Sequence, residues 1–176
     1  MRQVGLPAMV AGIPLAVLDQ SILPSKEFQM NLSTATKAIR LSNAATAATT
    51  SITSSALDCK GFDGALFIVS MGAIGATSVC TAKLQQSSDD GVADAYSDLL
   101  DTSISIADDD DNQLVMIDIT KPQKRYLKLV LARATATAVV DGIMAQLYNP
   151  KNEPTTHDSA TVVGFELHNS PAEGTA

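Results

Sequence analysis

The sequence predicts an all-β chain: a jelly-roll-like antiparallel β-sandwich with an extended N-terminal arm and an extended C-terminal tail. Three observations lead there. Short segments in which apolar and polar residues alternate recur through the middle of the chain, the pattern of strands with one buried face. Clusters of Gly, Asp, Ser and Pro separate them. The apolar residues, 45% of the total, are mainly small and aliphatic, with 4% aromatic and no Trp, so the core must be built from Ala, Val, Leu and Ile packed between sheets.

The organising stretch is residues 55–86, SALDCKGFDGALFIVSMGAIGATSVCTAKLQQ. Leu57 and Cys59 alternate with Asp58 and Lys60, and residues 61–64 supply a turn around Phe62. Residues 65–71 form a nearly unbroken apolar run, too short for a helix and rich in strand formers, which Gly72 and Gly75 are expected to close with a turn. Cys80, Ala82 and Leu84 then alternate with Thr81, Lys83 and Gln85, and the polar turn SSDDG follows.

Before this stretch, residues 1–50 read as an arm. VGLPAMVAGIPLAVLDQSILPS is apolar, carries three prolines and keeps no period, which excludes a central strand. The Ala-, Thr- and Ser-rich segment after it suits a linker or edge strand. An apolar arm is unfavourable in water, so Leu6, Val10, Ile13, Leu15, Val17 and Leu18 are expected to be buried against the chain's own sandwich or a neighbouring subunit, and the subunit contact is the favoured expectation. Residues 4–18 resemble a signal peptide in apolarity, but Pro7 and Pro14 interrupt them and only Arg2 is basic, so export by that route is not expected. The run is also too short to span a bilayer.

Residues 51–150 constitute the sandwich. Residues 94–101 suit either a short helix or an irregular strand. Thr102, Ile104 and Ile106 alternate, and the run Asp108, Asp109, Asp110 and Asp111 reads as a solvated turn because it lacks the spacing and glycine of a calcium loop. Val115, Ile117 and Ile119 define a strand stopped by Lys121-Pro122. Leu127, Leu129 and Leu131 define the clearest amphipathic strand, and residues 137–148 another, with Asp141-Gly142 a bulge or bend. About eight strands result, the number of a two-sheet jelly roll or similar sandwich. Residues 151–176 are polar and proline-punctuated: a tail interrupted by one short strand over 161–168, of the kind a partner orders.

Composition also narrows function. Twelve basic against nineteen acidic residues give a net charge of −7, which disfavours nucleic acid and anionic membranes as partners. Cys59 and Cys80 are expected as buried free thiols, although their strands are candidates for neighbours. The two histidines, His157 and His168, sit in the tail far from either cysteine, which does not make a zinc site. TTHDS, residues 155–159, holds the residue types of a catalytic triad, but in a segment without a rigid frame. MGAIGA is followed by a strand pattern, so it is not a phosphate loop. No catalytic, cofactor-binding or metal-binding residues are assigned.

Taken together, LDCKGFDGALFIVSMGAIG, TAKLQQSSDDG, KRYLKLVLAR, YNPKNEPTTHD and SPAEGTA resemble small structural proteins of tailed bacteriophages encoded among head genes. The resemblance covers residues 55–176, and the arm stands outside it. It implies a virion protein without enzymatic activity: a capsid decoration or cement protein on the outer capsid surface, assembled in the host cytoplasm. Its implied partners are the major capsid protein and copies of itself, with no direct nucleic acid, membrane or cofactor. A tail-tube or head-completion protein is the alternative, and a receptor- or carbohydrate-binding virion module a more distant one.

Overall fold

The computed structural model describes residues 31–175, and the expected interface residues Leu6, Val10, Ile13, Leu15, Val17 and Leu18 lie outside them. The described chain is all-β apart from one four-residue helix, α1 (Leu32–Ala35). Eleven strands form two antiparallel sheets. In the first sheet, β1 (Lys37–Ser42) and β2 (Ala45–Ala48) lie end to end along β11 (Ala138–Pro150). Next to β11 comes β5 (Phe62–Ile74), and then β9 (Leu114–Thr120) at the far edge.

The second sheet has the same plan. β3 (Ile52–Thr53) and β4 (Leu57–Asp58) share one side of β10 (Tyr126–Ala134). β6 (Val79–Ser87) follows, and β7 (Ser97–Asp98) and β8 (Ile104–Ile106) share its outer side. Each sheet is thus four strand positions wide.

The inward rows explain why the sheets close on each other. Leu127, Leu129 and Leu131 of β10 and Cys80, Ala82 and Leu84 of β6 point to one side, and Leu129 pairs with Leu84 and Leu131 with Ala82. From the first sheet come Ala65, Phe67, Val69 and Met71 of β5 with Val140, Ile143, Ala145 and Leu147 of β11. All belong to one buried cluster. Each large side chain in it contributes about 1.5–3 kcal/mol through burial.

The bulge expected at Asp141-Gly142 has a definite role. Val140 and Ile143 are both buried, which strict alternation forbids, and the register between β11 and β5 shifts between Val140 and Gly142. The extra residue resets the phase, so both halves of a thirteen-residue strand face the core. A second shift, between Ala138 and Val140, does the same for β5, whose Met71 and Ile74 are both buried.

Several expectations need correction. The segment read as linker or edge strand is edge strand: residues 37–42 and 45–48 pair with β11, so the sheet starts at Lys37, and only Leu41 of them is buried. An edge strand built from small residues buries too little to show a clear pattern. Gly72 does not end β5, which runs on to Ile74, with the turn at residues 75–78. A Cβ at Gly72 would lie 2.7 Å from Val139, so the glycine permits close side-chain packing within the sheet. Residues 161–168 form no strand. Of the two readings of residues 94–101, the irregular strand is the one found: they form turns and the short β7, with no helix.

Candidate functional site

The two outer faces of the sandwich differ. On the first sheet, register aligns Met116 of β9, Ile68 of β5, Met144 of β11 and Arg40 of β1 across the strands. Leu66 of β5 flanks this row on one side, and Leu114 of β9, opposite Ser70, on the other. Leu114, Met116 and Met144 are 60%, 57% and 47% exposed. This is a contiguous apolar surface across three strands rather than scattered single residues, and such patches mark interaction sites.

Polar groups frame it at one end. The Tyr148 ring covers Gly64, where any Cβ would collide with it, and its hydroxyl donates to Asp118 Oδ1 at 2.7 Å, bridging β11 to β9 across β5. Partial burial and the Asp118 carboxylate push the Tyr148 phenol up to about 12, so it remains a donor. Beside it, α1 packs over the sheet, and Gln146 Nε2 donates to Thr36 Oγ1 at 2.9 Å. At the β1 side, Thr161 and Val162 of the tail and Ile39, Ile68 and Met144 line a shallow groove of about 440 Å³.

The second sheet presents charge instead. Lys83 pairs with Asp98 at 2.6 Å, Lys124 with Asp94 at 2.8 Å, and Lys128 with Asp90 at 3.6 Å. Lys128 also sits 4.0 Å from the centre of the Tyr96 ring. Arg125 grips Asp58 with two nitrogens, at 2.8 and 2.6 Å, and this hydrogen bonding holds the Asp58 carboxyl below its usual range. Among the described residues, every pairing of a lysine or arginine with a carboxylate lies on this side.

The residue types that resembled a triad are engaged structurally. Thr155 donates through its amide to Thr34 O and through its hydroxyl to Thr36 O. His157 Nδ1 accepts from the Ala38 amide at 3.3 Å, so Nε2 carries the proton and donates to Ser33 O at 2.8 Å. Asp158 accepts from the Ala160 amide. Together Thr155 and His157 fasten the tail beside β1.

The carboxylate run has a structural task that a solvated turn does not capture. Asp108 accepts from the Thr77 amide at 2.7 Å, Asp111 from the Ile74 amide, and Asp110 from the Ala107 amide at 2.8 Å, so the run organises the turn between β5 and β6. Among the described residues, no group of three potential metal ligands occurs. Cys59 and Cys80 are both free and buried. Cys59 pairs beside Arg125 and Cys80 opposite Arg133 of β10, eight residues further along, which separates them by roughly 26 Å. Burial, reinforced by the Asp58 charge, pushes the Cys59 thiol up to about 12, leaving it unreactive.

The apolar outer face was absent from the sequence reading, although its signal was there. Residues 65–71 are apolar on both alternating sets, the mark of a strand covered on both faces. No protein-family model matches the chain, and no curated protein matches it either.

Proposed function

We propose that the chain is a structural protein of a tailed-bacteriophage virion, most specifically a capsid decoration or cement protein on the outer surface of the shell. The observation that carries this reading is the strand order. Followed along the chain, the eight strand positions run first sheet, second, first, second, second, first, second, first, with orders β1/β2-β11-β5-β9 and β3/β4-β10-β6-β7/β8. This supports a jelly roll, two interleaved Greek keys, an architecture found in viral capsid proteins as well as lectins and cupins.

The apolar outer face of the first sheet supports an assembly role, since a face carrying Met116, Ile68 and Met144 gains by being covered. Under this reading the major capsid protein and further copies of the chain are the partners. Leu6, Val10, Ile13, Leu15, Val17 and Leu18 of the arm serve as contacts to a neighbouring subunit. Assembly takes place in the host cytoplasm, and the chain acts without catalysis or cofactor.

Copy number in purified particles tests this directly. A stained gel calibrated against the major capsid protein should show the chain at hundreds of copies, released without disrupting the shell. A handful of copies would place it at a vertex or fibre, and hundreds of copies co-purifying with detached tails would assign it to the tail tube.

A further inference from the structure

The tail beyond β11 carries a strand pattern but, among the described residues, no strand partner. Val163, Phe165 and Leu167 alternate with Gly164, Glu166 and His168. Val163 is fully exposed, and Phe165 and Leu167 are 51% and 52% exposed. Three apolar side chains at strand spacing, with their backbone unpaired in any ladder, make a segment suited to adding onto the edge of another sheet.

The sandwich offers one edge that fits. β9 closes the first sheet, runs for seven residues and pairs with β5 without interruption from Gly64–Thr120 to Ser70–Leu114, and among the described residues no strand pairs with its other side. Its inward row is Val115, Ile117 and Ile119, of which Val115 and Ile119 are only half buried against the core. The core is thin there, and one more strand would complete it. The remaining edges fit less well. β3, β4, β7 and β8 are two or three residues long, β2 has four residues and an irregular register with β11, and β1 has His157 hydrogen-bonded to its Ala38 amide.

The chain's own tail starts at the edge opposite β9, and Thr161 and Val162 line the groove with Ile68 and Met144 without pairing with a strand. Thr155 and His157 fasten the tail beside β1, and Phe165 packs edge-on against the His157 ring, centroids 4.9 Å apart. β1 and β9 stand at opposite edges, three strand spacings or about 14 Å apart. Donor and acceptor on opposite edges of one sheet point to a second copy as the occupant, joined head to tail.

We propose that residues 161–168 of one copy add as a strand to the β9 edge of a second copy, setting Val163, Phe165 and Leu167 beside Val115, Ile117 and Ile119. The contact is heterologous, so repetition closes a ring or continues as a filament. The proposal rests on reading the chain as an assembling protein, but its test needs no virion, so either reading can fail alone.

The full chain at high micromolar concentration should sediment as an oligomer, and Phe165→Asp should shift it to the mass of one chain, 18.4 kDa, with an unchanged β-sheet circular dichroism spectrum. A mixture of Glu166→Cys and Met116→Cys chains, each with one added thiol, should give a cross-linked pair on treatment with a short bis-maleimide, since Cys59 and Cys80 are buried. A monomeric full chain, an oligomer indifferent to Phe165→Asp, or a mixture that yields no cross-linked pair would each overturn the proposal.

Discussion

The outer faces of the two sheets are built on the same strand plan, yet one carries Leu66, Ile68, Leu114, Met116 and Met144, and the other four lysine or arginine ion pairs. The inward rows do not distinguish them, since both are mainly aliphatic and both join one cluster. Stability therefore does not require the difference, because either sheet could have been made polar outside. The charged face is adapted to remain in water, and its exposed pairs add little to stability. The apolar face gains free energy only when something covers it.

This contrast can be tested against a structural reference. Arg133 continues the inward row of Leu127, Leu129 and Leu131, and it is buried. Its guanidinium donates to Thr50 O at 2.8 Å, Thr46 O at 3.1 Å and Ala138 O at 2.7 Å, tying β10 to the first sheet at one end of the core. Arg133→Met should cost about 3 kcal/mol, because each buried carbonyl left unsatisfied costs roughly 1–3 kcal/mol. Urea denaturation measures the loss, which should exceed that of any substitution on either outer face. A loss no larger than those would show that the arginine is not what ties the sheets.

A smaller effect belongs to the charged face and appears in acid. The Lys124 ion pair, with the amide and hydroxyl of Ser88, lowers the Asp94 carboxyl to about 2. Its value in the unfolded chain is about 3.9. A depressed folded value means a contribution present above the unfolded value and lost as pH falls from about 4 toward 2. Asp58, lowered first by Arg125, acts in the same direction. Asp94→Asn should therefore flatten the decline in thermal midpoint across that window and leave the neutral-pH midpoint slightly lower. An unchanged acid profile would remove Asp94 from the account.

The smallest expected effect on stability comes from the apolar face. Met116→Lys and Met144→Lys together should change unfolding free energy by no more than about 0.5 kcal/mol each, as exposed substitutions do. Binding of a hydrophobic dye should fall at the same time. A stability loss of several kcal/mol would mean that the chain itself covers these methionines.

Much of the sandwich was legible in the sequence. Burial alternates along β9 and β10 and along β6 from Cys80 to Leu84, Lys121-Pro122 stops β9, and Asp141-Gly142 announces the bulge in β11, all through local features. The edge strands were legible only as one of two readings, linker or edge strand, because β1 and β2 bury a single side chain between them. The tail misled in the opposite direction: Val163, Phe165 and Leu167 have the period of a strand, but a strand exists only where a neighbour accepts its hydrogen bonds. Arg133 also escaped notice, since its burial depends on carbonyls from Thr46 and Thr50, far away in sequence.

By itself, then, the sequence determined the central strands β6, β9, β10 and β11 and which set of each faces inward, since these depend on residues within a few positions of one another. Only the tertiary structure decided that Met116, Ile68 and Met144 stand in one row and that β9 stands at an edge with no further partner among the described residues. Both depend on which strands pair, a choice made between distant segments by burial and register, which no local period encodes.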